Sequence, residues 1–116
     1  MTVAVIGSRG WSNRAVVRRF VDRLPEGTVV VSGGARGPDS WAVERAKERG
    51  LQTVVHPADW KKHGKSAGMK RNKLIAEDCD FLAAFWDEVS QGTAHTVTLV
   101  QRMDKPYVVF TREVVK

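Results

Sequence analysis

Short runs of apolar, largely β-branched residues alternate with stretches whose apolar residues recur at helical spacing, and this rhythm most limits the folds open to the chain. Residues 2–6, 28–31, 51–55, 80–85 and 106–110 read as strands. The first is a nearly continuous apolar run, as expected of a strand buried on both faces. Between strands one and two, Val16, Val17, Phe20, Val21 and Leu24 place one apolar stripe on a helix that Pro25 and Gly27 end. A second helix opens near Pro38, with Ala42, Val43 and Ala46 inward, and closes at Arg49 and Gly50. Met69, Leu74, Ile75 and Ala76 mark a third helix, and Ala94, Val97, Val100 and Met103 a fourth. Residues 58–68 read as a polar loop with one helical turn around Trp60. The expectation is a Rossmann-like, doubly wound α/β fold with a mainly parallel five-stranded sheet. Strand order stays open, and the last strand suits either a parallel place or an antiparallel edge.

The unusual residues follow the strands, where open α/β sheets bind their ligands. "GSRGW" follows the first, "SGGARGPD" the second and "WDEVSQGT" the fourth. Gly33, Gly34 and Gly37 stand just before a helix, with Ser32 and Arg36 as side-chain donors. Glycines permit close backbone approach, and amides at a helix start favour an anion. The same device recurs more weakly at Gly7 and Ser8, with Arg9 as a phosphate clamp, and at Ser90, Gly92 and Thr93. Asp39 serves either a ribose hydroxyl or the loop's own amides, the second being favoured. Trp11 and Trp86, near strand ends, are the stacking candidates, whereas Trp41 and Trp60 are assigned to packing.

The chain has 116 residues, 42% of them hydrophobic, enough for one core, so 1–116 reads as one domain. Its net charge of +6 is unevenly spread. Lys61, Lys62, Lys65, Lys70, Arg71 and Lys73 face Asp59 alone across 59–73, and a second basic run holds Arg9, Arg14, Arg18, Arg19 and Arg23. Such fields attract phosphates or serve as solvated helix faces. A lone cysteine, Cys79, fits a reducing, cytoplasmic setting, and no apolar run spans a bilayer. His56, His63, His95 and Cys79 lack compact metal-ligand spacing. The G-x-G-x-x-G fingerprint is absent, and "DWKKHGKS" has Asp59 where a Walker A loop needs glycine, which excludes P-loop chemistry.

Together, "GSRGW", "SGGARGPDSWA", "ADWKKHGKSAGMKRNKLI" and "DFLAAFWDEVSQGT" resemble the YspA-like family of the SLOG superfamily, which includes the DprA/Smf and LOG proteins. The resemblance implies a nucleotide-type ligand and self-association. It places Gly7, Ser8 and Arg9 in a first ligand loop, and Gly33, Gly34, Arg36, Gly37 and Asp39 in a second. It makes Arg71 and Asn72 the family's R-N pair, and matches Ser90, Gly92 and Thr93 to its S-x-G-T loop. LOG enzymes carry a glutamate after G-T where this chain has Thr96, leaving Arg71, Asp87 and Glu88 as the remaining catalytic candidates. The leading expectation is binding or sensing of a nucleotide or an ADP-ribose-like ligand, with no required cofactor or metal. A nucleoside-monophosphate N-glycosidase and a single-stranded nucleic-acid-binding module are the alternatives.

Overall fold

Val3, Ala4, Val5 and Ile6 are all buried, and their alternating side chains feed two separate cores on opposite faces of one sheet. The structure is a computed structural model and describes residues 1–111, apart from the side chain of Lys65. The tail expected beyond the last strand falls, from residue 112, outside the described residues.

The chain runs β1 (Thr2–Gly7), α1 (Arg14–Asp22), β2 (Val29–Ser32), α2 (Pro38–Glu48), β3 (Gln52–Val55), α3 (Trp60–His63), α4 (Ala67–Asp78), β4 (Phe81–Phe85), α5 (Gln91–Arg102) and β5 (Tyr107–Phe110). A 3-10 turn, Gly64–Ser66, joins α3 to α4. The strands lie in the order β3-β2-β1-β4-β5, and every neighbouring pair is parallel. The edge left open by the sequence is thus settled: β5 runs parallel to β4.

Helices α1 and α2 cover one face. Val17, Val21, Ala42 and Ala46 pack there with Val3, Val5 and Phe85. Trp11 belongs to this core at 2% exposure, its ring edge-on to Phe85 at 5.5 Å and its Nε1 donating to the Asn13 carbonyl. Helices α4 and α5 cover the other face, where Ile75, Ala76 and Val100 meet Ile6, Val31 and Leu82. This is a Rossmann-like three-layer arrangement.

Side chains fix the helix ends. Asn13 accepts from the Val16 amide at the start of α1. At the other end of α1, Arg49 Nη1 donates to the carbonyls of Val21 and Leu24. Lys105 Nζ likewise donates to the carbonyls of Ala76 and Glu77 at the end of α4. Asp59 caps α3 by accepting from the Lys62 amide, which fixes the helical turn expected around Trp60.

Two members of the second basic run, Arg14 and Arg18, are neutralised by acids of α2. Arg14 and Arg18 on α1 pair with Glu44, Arg18 also reaches Glu48, and Arg45 on α2 pairs with Asp22 and Glu48. These residues are an inter-helix ion network rather than an open cationic face.

Candidate functional site

In the strand order β3-β2-β1-β4-β5, the chain leaves β1 in one direction and later returns to β4 on its other side. The loops leaving β1 and β4 therefore part, and a crevice opens at the carboxyl ends between them, the position where open sheets bind ligands. A cleft of about 730 Å3 lies there. Arg9 and Gly10 from the β1 loop line it, with Met69, Arg71 and Asn72 from α4 on another side. Asp87 and Ser90 from the β4 loop, and Gly92, Thr93, His95 and Thr96 from α5, complete most of the wall. Trp60 stands at the rim, 59% exposed, beside Met69 at 60%.

Of the residues expected at a ligand site, Gly7, Arg9, Asp39, Arg71, Asn72, Ser90, Gly92 and Thr93 line this cleft. Ser8, Ser32, Gly33, Gly34, Arg36 and Gly37 do not. The second loop turns its donors inward. Asp39, 4% exposed, accepts from the Gly7 amide through Oδ1 at 3.0 Å. Its Oδ2 accepts from the Gly33 amide at 2.9 Å and the Ser32 hydroxyl at 3.0 Å. The favoured, structural role of Asp39 is the one it fills here. Burial pushes its carboxyl above the ordinary range, against the pull of the Gly33, Ser32 and Gly7 donors and of Arg71.

The glycines of that loop also serve the protein itself. A Cβ on Gly33 would stand 2.5 Å from Arg71 Nη1, so its absence seats the guanidinium, which donates to the Gly33 carbonyl at 2.9 Å. Gly37 caps α2 at φ 90°, a left-handed conformation that disfavours any side chain. Arg36 is exposed outside the cleft.

The β4 loop is built around Asp87. Its Oδ1 accepts from the Val89 and Ser90 amides at 2.9 and 2.8 Å, and its own amide donates to Ser8 Oγ. The Ser90 and Val89 amides hold its carboxyl below the usual range, so it stands ionised in the cleft wall. Glu88, the neighbouring acid, sits at φ 66° and outside the cleft lining. Ser90 begins α5 without a side-chain capping bond, so the leading amides of that helix keep the free valence of any helix start. Thr93 Oγ1 lies 3.4 Å from both Ser90 Oγ and Ser8 Oγ.

Thr96, in place of the LOG glutamate, is 1% exposed and donates its hydroxyl to the Gly92 carbonyl at 3.0 Å. A hydroxyl committed in this way has little capacity to act as a base. On α4, Asn72 Oδ1 accepts from Arg71 Nε at 3.0 Å, and its Nδ2 lies 3.3 Å from the Gly92 carbonyl and 3.2 Å from His95 Nδ1.

The stacking expectation is corrected. Trp11 is a core residue, and Trp86 is half-buried with Nε1 donating to the Ser90 carbonyl. The open indole belongs to Trp60, which had been assigned to packing. Its position beside lysines and outside any apolar stripe was the signal available in the sequence. His95 lines the cleft and joins the Asn72 network.

Among the described residues, no cluster of three or more His, Cys, Asp or Glu is arranged to hold a metal, and no helix is long and apolar enough to cross a membrane. Cys79 is buried, which pushes its thiol up, and its Sγ is 3.6 Å from the Ala76 carbonyl.

The fold matches solved proteins. DNA processing protein A (DprA) from Streptococcus pneumoniae superposes with a TM-score of 0.80 at 21% identity, covering 93% of this chain and 49% of that one. DNA processing protein A from Helicobacter pylori gives 0.67 at 22% identity, covering 94% of this chain and 64% of that one. This chain thus spans about half of the first and somewhat under two thirds of the second. In sequence, the Gene 61 protein of Mycobacterium phage D29 is 36% identical over 118 residues, covering 93% of this chain and 94% of the phage protein. A family model described as the YspA, cpYpsA-related SLOG family (YAcAr) matches residues 1–63, which span β1 to α3 and so include the loops that follow β1 and β2. The chain belongs to the YspA, cpYpsA-related SLOG family.

Proposed function

We propose that this domain binds single-stranded nucleic acid, seating a backbone phosphate in the β1–β4 cleft and stacking a neighbouring base on Trp60. The observation that carries the reading is Trp60 itself, a large indole left 59% exposed at the mouth of a cleft that also holds Arg9 and Arg71. An aromatic face accepts any base, and each such stack is worth roughly 1–3 kcal/mol. The flanking charge suits a strand rather than an isolated small molecule. Lys61 and Lys62 are exposed on α3, and Lys70 and Lys73 on α4. Unlike Arg14 and Arg18 of α1, none of them is paired with an acid among the described residues. The solved protein from Helicobacter pylori is described by its single-stranded DNA binding mode, and the shared fold makes the same ligand class a natural one here.

A nucleotide or ADP-ribose-like ligand has one observation of its own in its favour. The cleft volume of about 730 Å3 lies within the ordinary range for small-molecule sites, roughly 300–1,000 Å3. Glycosidic cleavage has weaker support, because Thr96 offers a committed hydroxyl and Asp87 Oδ1 is held by two amides.

Fluorescence anisotropy with a labelled oligo(dT), read across a salt series, tests the proposal. We expect salt-sensitive binding that weakens about tenfold in Trp60→Ala, the size of one lost stack. Absence of binding at low salt, or an affinity indifferent to Trp60, would reject it.

A further inference from the structure

The hydrogen bonds around Asn72 determine which of its neighbours present donors to the cleft. Arg71 Nε–H can only donate, so the Asn72 atom 3.0 Å from it is the carbonyl oxygen Oδ1. The Gly92 carbonyl can only accept, so the atom 3.3 Å from it is the amide nitrogen Nδ2. Reversing the amide would set N–H against N–H at Arg71 and oxygen against oxygen at Gly92. Two contacts on opposite ends thus fix its orientation independently. The third contact then follows: Nδ2, a donor, lies 3.2 Å from His95 Nδ1, which must accept. The ring proton of His95 is therefore on Nε2.

Two nitrogens remain without a protein partner among the described residues, His95 Nε2 with one N–H and Arg71 Nη2 with two. Both side chains line the cleft. Neither is free to wander. Arg71 is held at Nε by Asn72 and at Nη1 by the Gly33 carbonyl, in the space left by the missing Gly33 Cβ. His95 is held at Nδ1 by Asn72, which is itself 7% exposed.

We propose that Arg71 and His95 form a phosphoryl-binding pair on the α4–α5 wall of the cleft, with Asn72 as the positioning residue that holds His95 as a donor rather than a base. The proposal rests on the cleft being the ligand site and names the group bound there. A phosphoryl group carries several acceptor oxygens, and a wall of fixed donors matches it. Asp87 sharpens the placement. Its ionised carboxylate lies by Gly10 of the β1 loop, with Oδ2 2.9 Å from where a Gly10 Cβ would be, and it repels a phosphate from that loop toward the α4–α5 wall.

Nitrogen-15 NMR of the histidine rings, in the free protein and during titration with thymidine 5′-monophosphate, reads the arrangement directly. The expected spectrum shows His95 protonated at Nε2 and bare at Nδ1, with the Nε2 signal moving as nucleotide is added. Asn72→Asp removes the donor to Nδ1 and supplies an acceptor, so the ring proton should transfer to Nδ1. By calorimetry, His95→Ala should bind the nucleotide about tenfold more weakly. His95→Gln, which keeps an N–H at a similar reach, should stay within about threefold of the parent. A ring protonated at Nδ1 in the free parent protein would overturn the proposal, and so would unchanged nucleotide affinity in His95→Ala. If oligo(dT) fails to bind while the nucleotide moves His95, the strand reading falls and the phosphoryl pair stands. If oligo(dT) binds but His95→Ala matches the parent, the reverse holds. If neither probe binds, both fall.

Discussion

Asp39 satisfies three donors from two different loops, the amides of Gly7 and Gly33 and the hydroxyl of Ser32, so its removal would leave three polar groups unpaired next to the core. Each unsatisfied buried group costs about 1–3 kcal/mol, and Asp39→Ala should therefore lower stability by roughly 3 kcal/mol or more in urea denaturation. Asp39→Asn keeps the shape but turns an N–H toward a donor, at a cost of about 1–3 kcal/mol. Because burial raises the folded carboxyl above its unfolded value, the acid form is the one the fold favours. Its contribution is complete below the unfolded value, near the ordinary carboxylate pKa of about 3.9, and declines as pH rises through the raised folded value. The stability gap between the parent and Asp39→Asn should accordingly narrow as pH rises across that window, and a gap that widens would contradict the burial argument. The favoured structural role of Asp39 was legible in the sequence because an aspartate just after a glycine turn has amides within local reach. The burial of Trp11 was not, since whether an indole is covered depends on elements distant in sequence, here Phe85 on β4.

At the scale of elements, two basic segments of similar composition behave differently. On α1, Arg14 and Arg18 meet acids displayed by α2, a neighbour the sequence could not specify. On α3, Lys61 and Lys62 follow the Asp59 cap and meet no acid among the described residues. The difference predicts distinct salt responses. Each lost phosphate contact on a single strand reduces the slope of log affinity against log salt by about 0.7. Lys61→Ala with Lys62→Ala should flatten that slope by up to about 1.4, whereas Arg14→Ala with Arg18→Ala should leave it unchanged. The arginine pair should instead show a stability loss of about 1 kcal/mol or less, since exposed ion pairs contribute little. Equal flattening by both pairs would mean that the α1–α2 face also meets the strand. The strands and the main helices were legible from apolar periodicity. The beginning of α4 at Ala67, before the Met69 expected from the apolar pattern, was not, because α3 and the 3-10 turn lead straight into it without a sequence break.

For the whole molecule, alternation of strand and helix implied a parallel sheet, but the order β3-β2-β1-β4-β5 depends on long-range pairing that no local pattern records. That order decides which loops share the crevice. It sets β4 on one side of β1 and β2 on the other, so the β4 loop and α5 face the cleft between β1 and β4 while most of the glycine-rich β2 loop does not. An amide already bonded inside the protein exchanges slowly whether or not a ligand is present, and only an unpaired amide can gain protection from one. The two loops therefore make opposite predictions for hydrogen exchange followed residue by residue. Gly7 and Gly33 donate to Asp39, so their amides should be slow in the free protein and unchanged by ligand. Gln91, Gly92 and Thr93 lie in the first turn of α5, where the helix supplies no acceptor, so their amides should exchange quickly until oligo(dT) is added and slow on binding. The α1–α2 face should show no change at all. New protection at 33–37 with none at 91–93 would move the phosphate to the glycine-rich loop, and at Gly33 would require Asp39 to release the amide it now holds.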